Sequence, residues 1–214
     1  MTAINPTRII FAKAPVAGYA KTRLIPALGA DGASRLARRM LTHTIDNALR
    51  AGLGPVELCA APSATDPAWR ELNLPPGLLW SEQGEGDLGA RMARAASRGL
   101  DAGLPVLLIG TDCPALDSDV LRTAARALSD HDAAITPTAD GGYALLGLNR
   151  FHASLFEDMR WSVSTVAAET LERIGRIGWH VARLPGQHDI DEARDLEWLP
   201  PDWHGSVANL PATN

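Results

Sequence analysis

The sequence predicts a single α/β domain with a mixed, mostly parallel sheet between two layers of helices. Short apolar segments alternate with amphipathic segments through most of the chain, as in repeated strand–helix units. The chain has 214 residues, a length that suits one domain with a sizeable core. We expect residues 1–200 to form this domain and residues 201–214 to form an irregular tail.

The first half of the chain contains three predicted strands and two predicted helices. The strands are the apolar segments at residues 9–12, 56–60 and 78–80. Asp31 can cap a helix that runs to about residue 51, because Leu41, Ile45 and Leu49 repeat every four residues. The proline-bearing segment 62–77 is predicted to be a loop. Asp87 follows a glycine-rich turn and can cap a helix that runs to about residue 100.

The second half continues the alternation. Residues 105–110 give the clearest central strand, since they are apolar on both faces as parallel strands are. Asp117 or Ser118 can cap the helix that follows, and further strands are predicted at residues 133–136, 143–148 and 180–184. A helix is expected after Ser162, and Asp191 can cap a last short helix that ends near residue 199.

Composition limits the classes of function. The chain is 46% hydrophobic and 21% charged with a net charge of −5, so a broad basic surface for nucleic acid is not expected. No apolar run approaches the roughly 20 residues of a membrane-spanning helix, and no signal-peptide core is present, so we expect a cytoplasmic protein. The two cysteines, Cys59 and Cys113, are too few for a disulfide framework or a Cys-rich zinc site.

The loop after the first strand has the composition of a phosphate-binding loop. It carries Lys13, Lys21 and Arg23, which offer point charges and a bidentate fork for oxygens. Gly18 would allow the backbone to approach a ligand closely. The Walker A motif is excluded, because its two glycines would fall on Pro15 and Ala20. The alternative is a solvated face of surface cations.

Carboxylates follow the later strands. Because right-handed crossovers place the carboxyl ends of parallel strands on one edge, where ligands bind, these side chains should meet the basic loop. The set suits a polyphosphate bridged by Mg²⁺ or Mn²⁺. The aspartates concerned are Asp112, Asp140, Asp189 and Asp191.

Each of these residues also has a purely structural interpretation. Asp112 could form a turn with Pro114, and Asp140 before two glycines could form a hairpin turn. Asp189 could be an exposed loop carboxylate, and Asp191 and Asp87 could act only as helix caps. Trp161 is more often a packing residue than a stacking one.

Five motifs occur along the chain in this order: FAKAPVAGYAKTRL at 11–24, GTDCP at 110–114, DGGYALLGL at 140–148, WS at 161–162 and DIDEARDL at 189–196. Together they resemble a bacterial family named as glycosyltransferases of arsenosugar biosynthesis. That family belongs to the nucleotide-diphospho-sugar transferase superfamily with the GT-A fold, and the resemblance spans residues 8–199. Val163 and Glu192 stand where the family usually has Thr. These two differences leave the expected fold intact and concern the part of the site that would contact the acceptor.

The resemblance implies roles for the candidate residues. The first loop would hold the nucleotide's phosphates, and the segment 86–89, with Asp87 and Gly89, would lie near the base and ribose. Asp112 would correspond to the metal-binding aspartate, with Asp189 or Asp191 as the second ligand. The acceptor or sugar would be faced by Asp140, Gly141, Gly142 and Trp161.

Two enzymatic hypotheses follow, with a third from another class. The first is a metal-dependent glycosyltransferase that moves a sugar from a nucleotide-diphospho-sugar to a small acceptor, with Lys21, Asp112 and Asp140 as catalytic candidates. The second is a nucleotidyltransferase that transfers NMP from an NTP to a phosphorylated acceptor, and three loop cations suit a triphosphate. The third is a non-catalytic nucleotide-binding module. Small α/β enzymes often pair, so a homodimer is an open alternative.

Overall fold

Seven strands form one mixed sheet at the centre of the protein, in a computed structural model that describes residues 5–203. The sheet has the spatial order β3-β2-β1-β4-β6-β5-β7, and β6 runs antiparallel to both of its neighbours. The other strand pairs are parallel. The strands are β1 Thr7–Lys13, β2 Val56–Ala61, β3 Leu79–Glu82, β4 Val106–Ile109, β5 Ala133–Pro137, β6 Tyr143–Leu148 and β7 Val181–Arg183.

Helices cover both faces of this sheet, so the predicted three-layer α/β/α class is confirmed. Alternate residues of a strand point to opposite faces, and in β1 Ile10 packs in one core while Ile9 packs in the other. Helices α1, α2 and α4 cover the first face, and α3 and α5 cover the second. The helices are α1 Ile25–Arg50, α2 Pro67–Arg70, α3 Leu88–Asp101, α4 Ser118–Ala127 and α5 Val166–Arg176.

The start of α1 differs from the prediction. The helix begins at Ile25 and not after Asp31, and it is kinked at Gly29, which has φ 70° and ψ 167°. Pro26 suits the first helical turn, since its missing N–H would be unpaired there in any case. The amphipathic stripe seen in the sequence belongs to the part after the kink, so the first turn gave no periodic signal.

Two of the predicted caps are confirmed, whereas Asp31, which lies inside α1, and Asp191 are not caps. Asp87 accepts from the Ala90 N–H at the start of α3, and Asp117 caps α4. The 3₁₀ turn Ala193–Trp198 is capped by Glu192 in a capping box, not by Asp191, whose side chain is used elsewhere. The predicted loop 62–77 also contains the short helix α2, which Asp66 caps.

A third core cluster attaches the end of the described chain to α1. It contains Leu36, Met40, Ile190, Leu199 and Trp203, all buried. Residues 201–203 form a 3₁₀ turn, and the rest of the predicted irregular tail, residues 204–214, lies outside the described residues. Within residues 5–203, no helix has both the length and the apolar character that a membrane crossing requires.

Candidate active site

The predicted sheet edge carries a cleft of about 530 Å³. The loops after β1, β4, β5 and β7 line it, together with the first residues of β6 and the segment before α5. The geometry therefore brings the basic loop and the later carboxylates to one place, as the strand order requires. The predicted residues that line the cleft are Lys13, Lys21, Arg23, Asp112, Asp140, Gly142, Trp161, Asp189 and Asp191.

Lys21 of the first loop contacts residues in the loops after β4 and β7. Its Nζ lies 2.6 Å from Asp112 Oδ1 and 2.7 Å from Asp191 Oδ1, and it donates to the Ile190 carbonyl oxygen at 2.6 Å. The side chain is only 9% exposed. The two carboxylates raise the pKa of Lys21, although burial acts strongly in the opposite direction, so the ammonium stays charged. Lys21 thus pairs with both carboxylates and does not reach outward as a free phosphate ligand.

Two features of the chain hold this arrangement. Lys21 has φ 48° and ψ 46°, a left-handed conformation that directs the residue between the loops after β4 and β7. Ile190 donates its N–H to the Asp112 carbonyl oxygen at 2.8 Å, and its side chain is fully buried against α1. The apolar Ile190 therefore fixes the polar Asp191 beside Asp112.

The remaining loop cations stay available to a ligand. Lys13 at the end of β1 and Arg23 in the 3₁₀ turn before α1 are exposed and line the cleft. Neither forms an ion pair with another side chain of residues 5–203. Gly18 has φ +82° in the same loop but is not among the residues that line the cleft. The structure thus reduces the predicted three-cation cradle to two available cations.

Asp140 lies in a tight turn after β5 and lines the same cleft. Its Oδ1 accepts from the Thr138 hydroxyl at 2.6 Å and from the Gly142 N–H at 2.8 Å. Gly141 has φ +90°, and a Cβ there would overlap the Ser164 carbonyl, so the turn requires glycine. Asp140 therefore both forms the predicted turn and lines the cleft.

Asp189 has a different environment from Asp191. It lines the cleft and makes no bond to Lys21. Burial, followed by the nearby charge of Asp140, raises the pKa of Asp189 to about 6. Asp189 can therefore accept and release a proton close to neutral pH, whereas Asp191 is the residue that shares a cation with Asp112.

Asp87 and Gly89, which the resemblance places near the nucleotide's base and ribose, make mainly structural contacts. Asp87 caps α3, and Leu88 lines the cleft where Asp87 and Gly89 do not. A Cβ on Gly89 would lie 2.6 Å from Trp161 Nε1, so glycine allows α3 to pack against the Trp161 ring. Trp161 is half-buried and borders the cleft at this point.

The floor of the cleft contains residues that sequence reasoning missed. Gln83 is buried and donates to the carbonyl oxygens of Ala12 and Cys59, each at 3.1 Å, which ties the β3 end to β1 and β2. Tyr143 at the start of β6 has its pKa raised by burial. Tyr19, beside Gly18, is 82% exposed at the rim. Tyr143 lies within the DGGYALLGL motif and Gln83 lies just before the segment 86–89, and these positions were the available signal.

The carboxylates fit a divalent cation only in combination with a ligand. One oxygen each of Asp112 and Asp191 contacts the same ammonium, so one cation at that point would meet both. Within residues 5–203, no group of three or more His, Cys, Asp and Glu side chains could hold a metal ion. Mg²⁺ and Mn²⁺ commonly use one or two carboxylates with phosphate oxygens and water, which this pair could provide.

Comparison with known proteins identifies the family. The family model described as "uncharacterized protein conserved in bacteria (DUF2064)" matches residues 44–163, and the chain belongs to this family. No curated protein matches the chain significantly in sequence. A provisionally named nucleotide-diphospho-sugar transferase from Desulfovibrio desulfuricans G20 is 31% identical, with a TM-score of 0.86 over 95% of this chain and 89% of that one. The resemblance to this superfamily is therefore confirmed.

More distant structures share the fold. The manganese complex of Rv0371c from Mycobacterium tuberculosis H37Rv is 18% identical, with a TM-score of 0.56 over 92% of this chain and 98% of that one. CMP:2-keto-3-deoxy-manno-octonic acid synthetase complexed with CTP is 10% identical, with a TM-score of 0.58 over 91% of this chain and 96% of that one. At these identities, the likeness establishes the fold.

Proposed function

We propose that the protein is a transferase that uses a nucleotide-activated donor, and that it moves a sugar from a nucleotide-diphospho-sugar to a small acceptor. The observation that carries this proposal is the meeting of Lys21, Asp112 and Asp191 in a cleft that Lys13 and Arg23 also line. Cations for a diphosphate and carboxylates for a divalent cation are then within one site. The 31% identical nucleotide-diphospho-sugar transferase supports the same class.

The donor would bind at the basic side of the cleft. Lys13 and Arg23, which form no ion pair with another side chain of residues 5–203, would hold diphosphate oxygens. Asp112 and Asp191 would hold a divalent cation, Mg²⁺ or Mn²⁺, which supplies charge stabilisation to the departing diphosphate. Trp161 and Leu88 would border the other part of the donor.

The acceptor would bind beside Asp140 and Asp189, which line the same cleft. Asp140 Oδ1 is already held by two donors, so its turn presents a rigid carboxylate to the cleft. Asp189, with a pKa of about 6, has the proton affinity that suits a general base near neutral pH. Asp189 therefore joins Asp140 as a candidate to remove the proton from an acceptor hydroxyl.

Nucleotidyl transfer is the second candidate. It is favoured by the fold likeness to a synthetase complexed with CTP. In that reaction an acceptor phosphate would attack the α-phosphorus of the nucleoside triphosphate and release pyrophosphate. The two reactions differ in their released product, so one assay separates them.

The test combines binding with product analysis. Thermal shift and calorimetry with UDP-glucose, GDP-mannose, GTP and CTP, each with and without Mg²⁺, should give stabilisation by a nucleotide sugar that increases with metal. Turnover mixtures with a panel of acceptor alcohols and sugar phosphates are then assayed for nucleoside diphosphate and for pyrophosphate. Pyrophosphate release with triphosphate binding alone would replace glycosyl transfer by nucleotidyl transfer. Metal-independent binding without turnover would indicate a non-catalytic module.

A pair of matched variants tests the site itself. Asp112→Asn should abolish turnover, because it removes one carboxylate from the proposed cation site. Asp119→Asn is the control, since Asp119 is an exposed carboxylate that pairs with Arg122 on α4, away from the cleft. Full activity in Asp112→Asn would remove this residue from the proposed mechanism.

A further inference from the structure

The Lys21 ammonium has no hydrogen-bond donor left for a substrate. Its three N–H groups match three acceptors, Asp112 Oδ1, Asp191 Oδ1 and the Ile190 carbonyl oxygen, at 2.6 to 2.7 Å. A phosphate could take Lys21 only if Lys21 left these acceptors. The carboxylates would then need another cation, because two carboxylates this close repel each other when uncompensated.

The backbone of Lys21 is held in an unfavourable conformation by the same contacts. At φ 48° and ψ 46°, a residue with a Cβ is strained, and such strain persists only where surrounding interactions over-determine it. Gly18, three residues earlier in the same loop, also has a positive φ of +82°, and a Cβ built on it would meet no atom within 4 Å. Loss of the three Lys21 contacts would allow the backbone to relax.

We propose that Lys21 is a placeholder for the divalent cation, which exchanges positions with it when the nucleotide binds. The cation would take the point between Asp112 and Asp191, and Lys21 would move to the phosphate oxygens beside Lys13 and Arg23. This inference rests on the proposed function for the identity of the nucleotide ligand. It goes beyond that function because it makes metal and nucleotide binding mutually dependent.

The charges of the site explain this dependence. Without nucleotide, a cation must displace an ammonium that has three good acceptors, and the displaced ammonium gains no new partner. With nucleotide, the displaced ammonium finds phosphate oxygens, so each ligand strengthens the binding of the other. Such coupling is reciprocal and commonly corresponds to factors of about 5 to 150 in affinity.

The first experiment measures Mn²⁺ binding without nucleotide. Electron paramagnetic resonance of free Mn²⁺ gives its Kd for the wild type, Lys21→Met and Lys13→Met. Removal of the placeholder should tighten Mn²⁺ binding by about tenfold or more in Lys21→Met, within the range of coupling factors above. Lys13→Met is the charge-matched control, because Lys13 lines the same cleft but has no contact with Asp112 or Asp191. Equal tightening in both variants, or none in Lys21→Met, would overturn the inference.

The second experiment measures the coupling. The Mn²⁺ titrations are repeated with GTP, CTP and UDP-glucose, with protein-free mixtures as blanks. In the wild type, the nucleotide that binds should strengthen Mn²⁺ binding to the protein, and this gain should shrink in Lys21→Met. An unchanged gain in Lys21→Met would contradict the exchange. Failure of every nucleotide to bind the wild type would instead refute the proposed function, and the nucleotide-free comparison would still judge the placeholder.

A measurement on the wild type avoids dependence on the folding of a variant. Nitrogen-15 NMR of lysine ammonium groups should show a Lys21 signal, assigned by its loss in Lys21→Arg. Addition of Mg²⁺ with the binding nucleotide should shift this signal and couple it to phosphorus, whereas Mg²⁺ alone at low concentration should leave it in place. A Lys21 signal that stays unchanged when both ligands are bound would refute the exchange.

Discussion

Substitution of Ile190 by alanine tests how the core holds the site. Ile190 is fully buried in the cluster against α1, and it lies between Asp189 and Asp191. Removal of its side chain from a core that does not collapse should lower the free energy of unfolding by about 2–5 kcal/mol. For a chain of this size, that loss corresponds to a Tm lower by roughly 4–20 °C. Because Ile190 also fixes the Asp191 loop, the loss should extend to the site.

The assay compares Ile190→Ala with Ile174→Ala. Ile174 is equally buried, but it belongs to α5 and the core on the other face of the sheet. Urea denaturation measures both stabilities, and Mn²⁺ and nucleotide binding are measured at a temperature where both variants are folded. Ile190→Ala should bind more weakly than Ile174→Ala at similar stability. Equal binding by the two variants would refute the claim that Ile190 positions the carboxylates.

Three other substitutions test separate features. Burial raises the pKa of Asp189 from 3.8 to about 6 in the folded state, so the folded protein binds this proton more tightly than the unfolded chain does. The free energy of unfolding should therefore fall as pH rises from 3.8 to about 6. Asp189→Asn should therefore raise Tm more at about pH 7.5 than at about pH 4.5, and a pH-independent change would contradict this. Gly141→Ala should lower stability by about 2–4 kcal/mol in urea denaturation, since it adds strain at φ +90° and a clash with Ser164, and a neutral result would refute the glycine requirement. Arg8→Met should raise stability by about 1–2 kcal/mol in the same assay, because it removes the buried Nε and Nη1 of Arg8, which have no partner among residues 5–203, at the loss of one hydrogen bond from Nη2 to the Gly54 carbonyl oxygen; destabilisation would indicate that this guanidinium supports the fold.

Much of the fold could be read from local patterns. The central strand β4 is a short apolar run, and α3 and α4 begin directly after Asp87 and Asp117, whose side chains cap them. The first turn of α1 was missed, because a proline followed by a kink at Gly29 has no helical period. The short helix α2 was missed because its four residues are too few for periodicity.

The candidate site was predicted in its position but not in its contacts. The loops after parallel strands must meet at one edge, so Lys13, Asp112 and Asp189 were expected there from strand order alone. Asp191 was expected equally as a cap, and the choice depended on Glu192, whose side chain takes that role. Aspartate serves both as a site carboxylate and as a helix cap, so the residue type alone does not distinguish the two roles.

The sequence by itself determined the α/β class, the order of the strands along the chain and the edge at which charged side chains gather. These follow from local periodicity, capping and the handedness of crossovers, which act over a few tens of residues. Only the tertiary structure decided that Lys21 faces Asp112 and Asp191 and not open solvent. That contact joins residues about 170 positions apart, and it depends on the burial of Ile190 in a core that α1 completes.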